Sequence, residues 1–107
     1  MVKRFEIYLV NIDERPSSDA KNTRPAVVVS PNEMNKHASY VIVAPVSTMP
    51  AENHPTRIPI DLLNRERSIV LDQIRSIDKV RLVKKIGDVD RARGRKLLET
   101  LQEMFAE

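Results

Sequence analysis

The chain has no cysteine, no tryptophan, only two glycines and no long apolar run. Each absence removes a class of function. Without thiols there are no disulfides and no thiolate metal sites, in agreement with a reducing compartment. With Gly87 and Gly94 as the only glycines, no glycine-rich loop can cradle a phosphate. A membrane helix needs about 20 consecutive apolar residues, and no stretch approaches that. The basic opening Met1-Val2-Lys3-Arg4-Phe5-Glu6 leads into no apolar segment with a small-residue cleavage site, so the sequence predicts no signal peptide and a cytoplasmic location. His37 and His54 stand on separate polar stretches with no metal-ligand spacing, and read as surface histidines. There is no GxSxG nucleophile elbow. Two Phe and two Tyr offer few stacking platforms, so any RNA contact should rely on phosphates and pockets.

What is present is a 107-residue chain of globular composition, 41% hydrophobic and 31% charged, which predicts one domain over residues 1–107 with a single modest core. The net charge is +3, but it is unevenly spread. Between Arg75 and Lys96 basic residues outnumber acidic ones three to one, a stretch suited to a polyanion or an acidic partner segment, or simply to a solvated helix face.

The organising stretch is Arg24-Pro25-Ala26-Val27-Val28-Val29-Ser30-Pro31. Unbroken small and β-branched residues between prolines predict a central strand, Ala26 to Ser30, covered on both faces. Pro25 biases Arg24 toward an extended backbone, holding its guanidinium where loop becomes sheet; a rim salt bridge is the plainer role for such a residue. Strands are further predicted at Phe5–Ile12, Tyr40–Val46 and Thr56–Ile60, the last an edge strand because Pro59 lacks a ladder donor. Ser68–Ile77 reads as one bent strand or two joined at Asp72-Gln73, and Glu33–Ser39 as a polar connection with one helical turn. Residues 13–23 and 47–55 read as long loops. A terminal helix is predicted from Asp88 as N-cap, with Gly94 marking a close approach to the sheet. Five or six strands and one helix give an α+β architecture, a small bent sheet or barrel.

Polar residues collect at the predicted strand ends: Asp19 and Arg24, Ser47 and Thr48, then Asp72, Gln73 and Arg75. Cleavage of RNA without a metal needs a base for the ribose 2′-OH, a cation for the charge on phosphorus and a donor for the leaving oxygen, and this set contains those types. By spacing alone, an Asp72–Arg75 ion pair and a Ser47-Thr48 turn are the plainer reading.

Several segments in order resemble the MazF/PemK family of toxin endoribonucleases from bacterial toxin–antitoxin pairs. They are Lys3-Arg4-x-Glu6-Ile7-Tyr8-Leu9-Val10; Thr23 through Ser30, with Asn35 downstream; Val43-Ala44-Pro45-Val46-Ser47-Thr48; and Ser68 through Lys79, with Arg81-Leu82. The resemblance implies an SH3-like barrel of the MazF/Kid/CcdB type with a C-terminal helix. It implies a homodimer that cuts single-stranded mRNA sequence-specifically, without metal or other cofactor, leaving 2′,3′-cyclic phosphate and 5′-OH ends. An antitoxin protein, acidic and disordered when free, would be its partner. The family's catalytic arginine falls on Arg24 and its hydroxyl on Ser47, with Thr48 beside it; the first-loop acid aligns with Asp19. Asp72, Gln73 and Arg75 become RNA-contacting or supporting residues. The chain departs from the family where Phe5 replaces a glycine before the first strand, where Ser17 stands near a missing loop glycine, and where Val70 replaces the arginine that one branch pairs with a loop histidine. The alternative of another class is a non-enzymatic toxin of the same barrel type that binds a protein such as gyrase. A third is an inactive RNA-binding or scaffold domain.

Overall fold

The computed structural model describes residues 1–12 and 22–107. Its elements are β1 (Glu6–Asn11), β2 (Thr23–Val28), α1 (Asn32–His37), β3 (Tyr40–Ser47), β4 (Arg57–Leu62), β5 (Arg65–Val70), β6 (Arg75–Asp78), β7 (Leu82–Asp88) and α2 (Arg91–Phe105), with short 3-10 turns at Leu71–Gln73 and Lys79–Arg81. The strands form one seven-stranded antiparallel sheet in the order β4-β5-β3-β2-β1-β7, with β6 pairing β3 beyond the end of β5.

The predicted central strand is central, between β1 and β3, and it is buried on both faces. Alternation sorts its side chains into two cores. Val27 and Val29 join Ile7, Ala44, Val46, Ile69, Leu71 and Leu97 on the face beneath α2, whereas Ala26 and Val28 join Val10, Val41, Val43 and Ile77 on the opposite face. The sheet curls strongly without closing by hydrogen bonds: among the described residues no ladder joins the end strands β4 and β7. The two strands nonetheless approach each other: Leu62 Cδ1 lies 3.8 Å from the point a Cβ on Gly87 would occupy. The fold is therefore a half-barrel with a C-terminal helix, α+β as expected.

Pro59 lies in β4, an end strand. The joined-strand reading of Ser68–Ile77 also holds, with the Leu71–Gln73 turn dividing β5 from β6. The sequence did not disclose β7, whose Lys84 and Lys85 interrupt its apolar pattern, nor that β5 begins at Arg65. The helix begins later than expected: Asp88 ends β7, and Asp90 is the N-cap, accepting from the Arg93 amide at 2.8 Å. Arg93 Nε in turn donates to the Pro59 carbonyl at 2.9 Å, tying the helix start to the edge strand. Gly94 does make a close approach, but to the ring of Phe5, not to the sheet.

Candidate functional site

Arg24 stands exposed at the start of β2, and its Nη1 donates to the Thr23 carbonyl at 2.9 Å. Among the described residues it has no carboxylate partner. It lines a small cleft of about 90 Å³ together with Arg75 and Arg81, over an apolar floor that includes Val10, Ala26, Val43, Pro45 and Ile77. Three guanidinium groups gathered over an apolar floor concentrate positive charge, which suits an anionic partner. Pairing explains the convergence: Val10 lies opposite Arg24, Ala26 opposite Pro45 and Val43 opposite Arg75, and directly paired residues project from one face.

The β2–β3 register, continued two residues past Ala26 and Pro45, sets Ser47 as the cross-strand counterpart of Arg24. The Ser47 hydroxyl oxygen accepts from the Met49 amide at 3.1 Å. Its single proton is left to donate elsewhere. Thr48 is exposed beside it and does not line the cleft.

Asp72 and Gln73 lie on the 3-10 turn and are exposed, away from the cleft lining. Asp72 is not paired with Arg75; its Oδ1 accepts from Thr56 Oγ1 at 3.0 Å. Asp19 lies outside the described residues. Thus Arg24 and Arg75 converge in the cleft; Ser47, which the β2–β3 register reaches only when extended beyond its last observed pair, does not line it, and neither do Thr48, Asp72 and Gln73. Sequence reasoning counted Arg81 only within a basic stretch; the structure brings it to the cleft, where its Nη1 donates to the Asn11 carbonyl at 3.2 Å. Asn35 proves structural: buried, it donates through Nδ2 to the Ser30 carbonyl at 2.9 Å, while Ser30 Oγ accepts from the Ile42 amide. That network fixes the end of β2 against β3.

A family model described as PemK-like, MazF-like toxin of type II toxin-antitoxin systems matches residues 3–105. The chain belongs to the PemK/MazF toxin family. Endoribonuclease MazF9 of Mycobacterium tuberculosis is 34% identical over 95% of this chain and 94% of its own. Endoribonuclease EndoA of Bacillus subtilis is 32% identical over 99% and 96%. Among solved structures, a mycobacterial endoribonuclease in complex with its cognate antitoxin superposes with a TM-score of 0.79 at 22% identity, covering 96% of this chain and 93% of that one. MazE–MazF from Deinococcus radiodurans gives 0.79 at 18% identity, over 98% and 95%. These likenesses support the MazF-type half-barrel. No helix among the described residues is long and apolar enough to cross a membrane.

Proposed function

We propose that this MazF-family toxin is a sequence-specific endoribonuclease that cuts single-stranded mRNA in the cytoplasm without a metal, blocking translation until a cognate antitoxin restrains it. The observation that carries the reading is Arg24 at the mouth of a three-arginine cleft, with Ser47 as its register counterpart. In this mechanism the ribose 2′-oxygen attacks phosphorus and the bond to the 5′-oxygen breaks, leaving a 2′,3′-cyclic phosphate and a 5′-OH. Arg24 stabilises the charge gathering on the non-bridging oxygens, and the free proton of Ser47 adds a second donor. Arg75 and Arg81 hold the neighbouring phosphates, and Asp19 is the carboxylate that family resemblance adds to the set. The working unit in this reading is a homodimer.

Two endoribonucleases among the relatives favour this over a non-enzymatic protein-binding toxin. The test is purified protein on a long single-stranded RNA in EDTA, beside Arg24→Ala and Ser47→Ala, with cut ends mapped. Recurrent cuts with 5′-OH ends, slowed at least about 100-fold by Arg24→Ala while circular dichroism shows an intact fold, are expected. Intact RNA with the wild-type protein would overturn the assignment.

A further inference from the structure

The last residue pair of the β1–β2 ladder is Asn11 with Thr23. One more hydrogen bond forms beyond it, from the Ile12 amide to the Asn22 carbonyl at 3.2 Å. Bonded and non-bonded pairs alternate along an antiparallel ladder, so this bond makes Asn11 and Thr23 a non-hydrogen-bonded pair whose own N–H and C=O groups turn away from each other. Because β1 lies between β2 and β7, and β2 between β1 and β3, the Asn11 carbonyl turns toward β7 and the Thr23 carbonyl toward β3. Each receives a guanidinium group of the cleft. Arg81 Nη1 donates to Asn11 at 3.2 Å, and Arg24 Nη1 donates to Thr23 at 2.9 Å. Two of the three cleft cations are therefore hung from one residue pair.

That pair is closed by a backbone conformation. Asn22 stands directly ahead of β2 with a φ of 55°, in the left-handed region. Glycine and asparagine enter that region at low cost, whereas a β-branched residue there is an outlier. With Asn22 in this conformation its carbonyl meets the Ile12 amide, and the ladder is sealed one step past the last pair. Asn22 is exposed, so a substitution there tests the backbone with little change in packing.

We infer that Asn22 is a positioning residue for RNA cleavage: its left-handed backbone closes the Asn11–Thr23 pair, and the outward carbonyls of that pair hold Arg24 and Arg81 at the spacing the reaction uses. The inference rests on the endoribonuclease reading and deepens it. Asn22 touches no reacting atom and acts through the two guanidinium groups. Arg24 serves the charge at phosphorus and Arg81 a neighbouring phosphate, so loosening the one pair weakens both the chemical step and the binding of RNA.

The test compares wild type, Asn22→Gly, Asn22→Ala and Asn22→Val by kcat and KM on RNA, by binding of a non-cleavable RNA analogue across a salt series, and by urea melts. Asn22→Gly removes the side chain but keeps the left-handed backbone accessible, and should stay within about twofold of wild type. Asn22→Val should lower kcat by about tenfold or more, since misplacing a positioned group by about 1 Å can cost about 100-fold. It should also reduce the slope of log affinity against log salt by about one unit although no charge has been removed, because Arg81 no longer meets its phosphate. Asn22→Ala, a milder misfit, should fall between the two. A purely structural role would move the melts and leave that slope unchanged. An Asn22→Val enzyme with the kcat and salt slope of wild type would overturn the positioning role and leave the endoribonuclease standing. So would an Asn22→Gly enzyme as slow as Asn22→Val, because the side chain would then matter and not the backbone. Wild type that leaves RNA uncut would remove both readings.

Discussion

The ring of Phe5 occupies the space that a side chain at Gly94 would need: a Cβ there would lie 2.9 Å from Phe5 Cε2. Phe5 itself holds a φ of 74°, a left-handed backbone that costs a non-glycine residue about 1–2 kcal/mol. The backbone at Phe5 is held by its amide donating to the Val28 carbonyl at 2.7 Å and its carbonyl accepting from the Val89 amide at 2.8 Å. Strand geometry sets the strained φ, and the ring recovers energy by packing between helix and core.

The pair makes a double-mutant cycle with a change of sign. Gly94→Ala should destabilise the protein by about 1 kcal/mol, the overpacking penalty exceeding the helix-propensity gain. In a Phe5→Gly background the ring is gone, and the same substitution should stabilise by about 1 kcal/mol. Urea melts of the four proteins measure this, and equal effects in both backgrounds would refute the steric coupling.

Arg75 lines the cleft without a carboxylate partner among the described residues, so its charge is available to RNA. Arg75→Ala should raise KM and reduce the slope of log affinity against log salt by about one unit. Binding of a non-cleavable RNA analogue across a salt series reads this directly.

Stability should fall in mild acid because of Glu6. Burial alone raises its pKa, yet the net displacement is downward, since the Lys3 amide donates to it at 2.7 Å, Lys85 Nζ lies at 3.1 Å and the Tyr8 hydroxyl donates at 3.1 Å. A carboxyl lowered on folding stabilises above its unfolded pKa, about 4.3 for glutamate, and that contribution is lost as pH falls through the folded value. Glu6→Gln should therefore be less stable than wild type at pH 7, with the gap closing below about pH 4. Denaturant midpoints across pH check the sign.

The β4–β5 hairpin turns at Leu63 and Asn64, both with positive φ, at 54° and 61°. Such a two-residue turn prefers Asn-Gly. Leu63 is exposed, so Leu63→Asn loses little packing and should stabilise by about 0.5–1 kcal/mol, raising Tm by a few degrees. An unchanged or lower Tm in a melting scan would count against backbone strain at Leu63.

The same turn shows why part of the fold escaped the sequence. With no glycine between Ile60 and Arg65, nothing announced a hairpin, and the charged Arg65-Glu66-Arg67 suggested no strand although they pair along β4. Pro59 spoke plainly because a missing N–H has one consequence in a sheet. Arg24 was legible for a similar reason, since Arg-Pro ahead of an apolar run fixes where the charge sits. The Thr56–Asp72 contact was not, because Asp72 is sixteen residues from Thr56 in sequence and the two meet only once β4 has paired with β5.

The open seam between β4 and β7 divides the molecule mechanically. β7 is laddered to β1 alone, while β2 and β3 each have neighbours on both sides. Peeling β7 away breaks one ladder, that with β1, whereas exposing β2 requires breaking two. Amide protons on β7 should thus exchange with solvent well before those of β2, so that Arg24 is anchored on the slowest-opening part of the sheet while an edge of the molecule loosens without disturbing it.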